Sequence, residues 1–358
     1  AGMRLSILDR YIGSVMLKAT AMTVVVLTTL LVFFDLIDEM DDVGEGAYRM
    51  ADAFMVAMLS APRYVFEGFP VAALIGSLIG LGAMATHGEL IAMRGAGFSR
   101  RQIVMAVMKA GALMMLLVFL FGEFVAPASE QWGERHRAEK LEQQVTLKTR
   151  YGFWARDGQA FVNIRTVLPG ARLRDIFVYE FDAAGRLTLA THAEQAVYRG
   201  NHWQMFGIRQ SQIAEAGIIG RELTEARWDS LLDPGLLSAV VIAPTMLRID
   251  ELYHYIAVMR ENGQSATEYE VAFWVKLATP LGTLVMLFIA IPFVLAHERQ
   301  SSLGQRVFLG VLLGMSFYLL SRGMAYVAVV FSISPALSAL IPAAAFLAIG
   351  VFLMRRQH

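Results

Sequence analysis

The residues best placed to do chemistry in this chain are charged ones in apolar surroundings. Between two long apolar runs lies the segment 86–101, Thr-His-Gly-Glu-Leu-Ile-Ala-Met-Arg-Gly-Ala-Gly-Phe-Ser-Arg-Arg. Its helix-capable part sets Glu89 and Arg94 beside Leu90, Met93 and Phe98, with glycines closing it off. Two uses fit that pattern. It is either a solvated loop helix whose arginines set topology, or a docking helix: Glu89 and Arg94 face a partner while Leu90, Met93 and Phe98 enter its groove. A second pair, Arg63 and Glu67, sits one helical turn apart inside an apolar run. Charges at membrane depth are expensive unless paired. They therefore pair with each other, or Arg63 faces a cavity, where a guanidinium suits a lipid phosphate. Arg322, inside a later apolar run, invites a functional reading on the same ground. A third set is acidic: Asp35, Asp38, Glu39, Asp41, Asp42 and Glu45. It is a solvated exterior loop, or Asp35, Asp41 and Asp42 hold a divalent cation that bridges them to lipid phosphates.

Other chemistries are excluded or weakly supported. No Gly-Lys dipeptide occurs, so the chain has no Walker A loop with which to bind ATP. There is no His-Glu-x-x-His and no Gly-x-Ser-x-Gly, and the seven histidines are scattered singly. Cysteine is absent, which removes disulfides, thiolate metal sites and a cysteine nucleophile. Neither a catalytic nor a metal site is expected.

The elements that must position these charges are membrane spans. Hydrophobic residues make up 56% of the chain and charged ones 17%, against about 45–50% and about 25% in soluble domains. Mean hydropathy is +0.51, and the excess lies in long runs. Formal net charge is zero, which gives no argument for nucleic-acid binding. Ala1-Gly2 ahead of Met3 reads as a leftover of expression and is set aside. The first apolar run lacks a small-residue cleavage site and is expected to be retained.

Residues 5–11 read as a short interfacial helix ahead of the first span at 11–34, where Lys18 snorkels. The stretch 51–85 is a second, long span interrupted by Pro62 and Pro70, with Ala72, Gly76 and Gly80 on a small-residue face. The third span, 103–125, is expected to end at Pro127. About 140 residues without a span follow, a length typical of one domain. Alternation at 160–165, the β-rich run 175–181 and turns at 182–185 and 199–202 predict an antiparallel sandwich or roll. Residues 248–263 read as a helix leading back to spans at 277–296, 307–331 and 335–354. The expected fold class is thus an α-helical polytopic membrane protein of six spans with an inserted all-β domain. It divides into an N-terminal membrane part at 1–126, the β domain with flanking helices at 127–268, and a C-terminal membrane part at 269–358. Arginines 4, 10, 94, 100, 101, 299, 306, 355 and 356 fall on one side and the acidic loop on the other. The positive-inside rule puts both termini in the cytoplasm and the β domain outside.

Several motifs carry a resemblance. Leu8-Asp-Arg-Tyr-Ile-Gly13, Pro70-Val-Ala-Ala-Leu-Ile-Gly76, Leu81-Gly82, Glu89-Leu90, Met93, Ala96-Gly-Phe-Ser99 and Gly122-Glu123 with Val125-Ala-Pro127 resemble the LptF/LptG permeases of lipopolysaccharide export. The opening motif sides with the LptG branch. The likeness covers all six spans and the inserted domain, for which it implies a β-jellyroll. It further implies a non-catalytic membrane subunit, paired with LptF and driven by two copies of a cytoplasmic ATPase, LptB, which would hold the ATP and magnesium. This chain would need no cofactor. LptC would place a transmembrane helix beside span one. The setting would be a Gram-negative inner membrane, with the β domain in the periplasm.

The segment at about 87–98 is similar to the family's coupling helix, so Glu89 is expected to pair with a basic residue of the ATPase. Arg63 and Arg137 match basic positions near the lipid A headgroup, with Arg135 close by. Where the family pattern has lysines at the outer end of span one, this chain has Asp35, Asp41 and Asp42, so a lysine grip does not carry over. Phe33, Phe66, Phe69 and Leu74 are candidates for the wall that receives acyl chains. Two other readings remain open at this point: another extractor of the same mechanical type, and a membrane scaffold that transports nothing.

Overall fold

A computed structural model describes residues 7–141, 153–157, 160–168, 172–182, 185–200, 202–214, 217–228, 243–261, 265–296, 303–331 and 333–356. Arg4 and Arg299, used in the topology argument, lie outside them, as does part of each turn at 182–185 and 199–202.

The helices are α1 (Ile7–Met40), α2 (Met50–Thr86), the short α3 (Glu89–Gly95), α4 (Arg100–Leu120), α5 (Ala126–Lys140), α6 (Ile249–Glu261), α7 (Thr267–Ala296), α8 (Leu303–Phe331) and α9 (Pro335–Arg356). Among the described residues six helical stretches are long and apolar enough to cross a membrane. Between α5 and α6 lies an inserted sheet of six strands: β1 (Phe153–Asp157), β2 (Ala160–Leu168), β3 (Arg172–Phe181), β4 (Leu187–Tyr198), β5 (Trp203–Ala214) and β6 (Gly217–Trp228).

α2 is the most buried span and the hub of the bundle, with α1, α5, α7 and α8 around it. The small-residue face foreseen on α2 is where α1 crosses. A Cβ on Gly76 would fall 2.5 Å from the Thr20 Cα, so only glycine lets the two backbones meet. The main cluster gathers Leu8, Ile12 and Met16 of α1 with Leu74, Leu78 and Leu81 of α2, Leu90 of α3, Ile103 and Val107 of α4, and Leu287 and Ile291 of α7. By contrast, α1 beyond Thr23 and most of α8 keep their apolar side chains exposed.

Several boundaries differ from the sequence expectation, and α7 starts ten residues ahead of the span expected at 277–296. The interfacial helix before span one is continuous with it, since Gly13 is seated against Ala110 and does not interrupt the apolar face. The acidic stretch is not all loop, because α1 carries Asp35, Asp38 and Glu39 on helix as far as Met40. Nor does Pro127 end the third span. A π-helical turn at Phe121–Val125 precedes it, in which the Ala126 N–H reaches the Phe121 carbonyl. That slip of register removes the demand for an N–H at Pro127, and α5 continues the helix to Lys140. α5 then packs on α2, where the Ser129 hydroxyl donates to the Leu59 carbonyl at 2.7 Å.

The strands form a sequential antiparallel meander, β1-β2-β3-β4-β5-β6. Alternation holds in part in β2, where Val162 and Ile164 are buried and Phe161 is exposed but Asn163, between the two buried residues, is buried as well. Further along, the inward positions change parity. Leu173 and Ile176, Ala196 and Ala193, and Met205 and Ile208 all enter one cluster although each pair is three residues apart. The step runs across the sheet through Asp175 (φ 53°) and Gly207 (φ 62°). A left-handed residue bends a strand and resets which side chains face inward.

Candidate functional site

The bundle has two charged ends, one bearing α3 and one from which the sheet departs. At the sheet end, α2, the π turn, α5, α7, α8 and α9 enclose a cavity of about 310 Å³. Its deeper wall is apolar, from Phe66, Pro70, Val71, Val275 and Phe317. Arg63, Glu67, Glu130 and Arg322 also line it. Phe66 reaches its place because Gly122 has no side chain: a Cβ there would lie 2.0 Å from the ring.

The charges pair across helices, not along α2. Arg63 Nε meets Glu130 Oε1 of α5 at 2.9 Å, and Glu67 pairs with Arg322 of α8. The expected Arg63–Glu67 pair is therefore replaced by two pairs that each tie α2 to another helix. Arg63 Nη2 also donates to the Tyr64 hydroxyl at 3.0 Å, which donates to Asp35 Oδ1 at 2.6 Å, so α1 joins the network. Arg137 is similarly occupied, by Glu39 at 3.2 Å and by Asp42. The Tyr48 hydroxyl donates to Glu39 Oε2 at 2.7 Å, and burial, reinforced by Glu39, pushes that phenol above its ordinary pKa. Arg135 is exposed beside these groups.

The acidic residues do not converge. Asp35 accepts from Tyr64 and Asp42 faces Arg137, and no group of three or more metal-ligating side chains comes together among the described residues. Of the acyl-wall candidates, Phe66 lines the cavity and Phe33 is exposed. Phe69 packs against the main cluster. Leu74 is fully buried inside that cluster and presents no wall, because it faces the crowded side of α2.

A further pair at this end escaped the sequence reading. Glu123, in the π turn, and Lys276 of α7 are both buried and lie 3.3 Å apart. Glu123 Oε1 also accepts the Ile249 N–H at 2.8 Å, while Lys276 Nζ donates to the Leu247 carbonyl at 2.5 Å. Both groups thus hold the linker through which the chain returns from the sheet. Lys276 stands just ahead of the span expected at 277–296, and in the structure it lies well inside α7.

At the other end, α3 starts at Glu89 after Gly88 (φ 76°), whose left-handed conformation turns the chain out of α2. α4 then begins with a capping box between Ser99 and Gln102. Leu90 points into the main cluster and is buried, so it cannot dock into another protein's groove as the sequence pattern suggested. Met93 packs partly on the same cluster, while Phe98 stays exposed. Glu89 Oε2 accepts from the Tyr11 hydroxyl of α1 at 2.8 Å, a contact that a separation of 78 residues hides from any local pattern.

The model of a family described as lipopolysaccharide export system permease LptF/LptG matches residues 10–356. The chain is 35% identical over 353 residues to the lipopolysaccharide export system permease protein LptG of Haemophilus influenzae, covering 98% of this chain and 99% of that one. It is 33% identical over 354 residues to the protein of the same name from Escherichia coli K12, with 98% of each chain covered.

Proposed function

We infer from its membership of the LptF/LptG family of lipopolysaccharide export system permeases that this chain is a multi-pass inner-membrane subunit of lipopolysaccharide export. The observation that carries this is the match from end to end, through every span and the inserted sheet. We propose further that it works as an LptG-type half of a heterodimer with LptF and has no catalytic step or cofactor of its own. Energy would come from a separate cytoplasmic ATPase dimer, LptB, that binds ATP and magnesium. An LptC helix would lie beside α1, whose outward face is apolar and exposed.

In this reading both termini and α3 face the cytoplasm and the sheet faces the periplasm. Glu89 offers a carboxylate to a basic residue of the ATPase, with Arg94 and Phe98 beside it. At the opposite end the headgroup of lipopolysaccharide meets Arg63, Arg135 and Arg137. Because Arg63 and Arg137 are held by Glu130, Glu39 and Asp42, a phosphate binds by exchange with a carboxylate of the protein itself. Acyl chains would lie along Phe33 and Phe66.

Purification of the complex with the Glu89→Arg variant tests the energy input. The ATPase is expected to be lost from the variant and kept by the parent; equal retention would remove α3 as the docking element.

A further inference from the structure

We infer that Tyr11 is a positioning residue that couples α3 to span one, so that displacement of α3 by the ATPase moves the exposed outer half of α1; this rests on the reading of α3 as the docking element.

One residue of α3 engages the base of α1 directly, and its neighbour is buried in the core that α1 shares. Glu89 accepts the Tyr11 hydroxyl at 2.8 Å, and Leu90 is buried in the cluster that also holds Leu8, Ile12 and Met16. The base of α1 is fixed on a third side, where Lys109 of α4 reaches Asp9 at 2.8 Å, with Asp9 buried. α3 and α4 are joined through the Ser99 capping box. The first turns of α1 are therefore tied to α3 and α4 by polar contacts while α1 packs along α2, so a displacement of α3 reaches α1 through Tyr11.

The rest of α1 is built differently. From Ile7 to Met40 it runs 34 residues with no proline, about 50 Å at a rise of about 1.5 Å per residue. Past Thr23 few of its side chains are buried, and Val25, Val26, Leu30, Phe33 and Phe34 are exposed. A continuous helix held at its base, and fastened again at its far end where Asp35 meets Tyr64 and Glu39 meets Arg137, carries a tilt at Tyr11 along its exposed middle to that network. The polar link matters because Leu90 alone is non-directional and can slide, whereas the phenol–carboxylate bond fixes the rotation of α3 about α1. The same bond leaves Glu89 Oε1 for a cation from the ATPase, so one carboxylate joins the two partners.

The test is Tyr11→Phe in the full complex reconstituted in vesicles containing lipopolysaccharide, read as lipid released per ATP hydrolysed. A loss of folded molecules lowers release and hydrolysis together and leaves their ratio unchanged, so the ratio reads coupling alone. The expected result is ATPase retention and hydrolysis within about twofold of the parent, with lipid released per ATP reduced at least about fivefold. As a second readout, spin labels at positions 30 and 92, placed through introduced cysteines in this cysteine-free chain, should show an ATP-dependent distance change that Tyr11→Phe abolishes. An unchanged ratio, while Glu89→Arg still releases the ATPase, overturns the relay and leaves the docking role of α3 standing. Loss of the ATPase from Tyr11→Phe would make Tyr11 a docking contact and also overturns the relay. Retention of the ATPase by Glu89→Arg defeats the underlying reading of α3.

Discussion

The two ends of the helical bundle put charge to different uses. At the sheet end four cations are held by carboxylates from elsewhere in the fold: Arg63 by Glu130, Arg322 by Glu67, Arg137 by Glu39 and Asp42, and Lys276 by Glu123. At the α3 end one ion pair, Asp9 with Lys109, ties α1 to α4, but Glu89 meets only a neutral phenol and Phe98 stays exposed. The first end is a lattice that ties α1, α2, α5, α7 and α8 together and yields only to a competing ion. The second keeps a carboxylate available for a partner. Breaking the first should therefore cost stability, whereas breaking the second should cost function.

Glu123→Ala gives the largest expected effect. It strands Lys276 as a buried unpaired cation, which costs about 3–5 kcal/mol. Thermal unfolding of the purified complex should show it, and Glu123→Met combined with Lys276→Met should recover most of the loss. A single variant as stable as the parent would mean that this end is not held by its ion pairs. Gly122→Ala comes next, since its Cβ would strike the Phe66 ring. Overpacking of that kind costs about 1–3 kcal/mol, and adding Phe66→Leu should relieve part of it in the same melt.

Arg63→Ala leaves Glu130 buried without its partner but keeps solvent nearby, for about 2 kcal/mol. Replacing Glu130 by Gln in the same chain should offset part of the loss. The smallest effect on stability belongs to Tyr11→Phe, at the other end. A hydrogen bond open to solvent adds little net stability, so its melt should nearly overlay the parent even where lipid release per ATP does not. A large loss of stability from Tyr11→Phe would erase the contrast between the ends.

Much of this was legible in the sequence. Six apolar runs gave the spans, because nothing else suits a run of that length. The spacing of Ala72, Gly76 and Gly80 marked a helix contact, since small residues matter only where backbones approach. The inward set of β2 was legible at Val162 and Ile164, though not the burial of Asn163, and the parity step at Asp175 and Gly207 was not, because a single left-handed residue leaves no periodic trace.

At the site, the residue types were visible but their partners were not. Arg63 and Glu67 stand at a spacing that permits a pair along one helix, yet tertiary neighbours won on both sides. Glu130 could not be considered while Pro127 was taken as the end of the span, and the π turn that carries the helix past proline has no sequence signature in Phe-Gly-Glu-Phe-Val. Leu90 and Phe98 looked alike in the α3 pattern. Only the packing of α3 on the bundle decides that one is core and the other surface.

The measurement closest to the central claim is site-specific photocrosslinking from position 63 in the assembled complex, in membranes containing lipopolysaccharide. A lipopolysaccharide adduct that forms before ATP is added and declines as ATP is hydrolysed is the predicted result. Absence of any such adduct, with ATPase binding intact, would contradict the assignment of lipopolysaccharide as the substrate held at this end of the bundle.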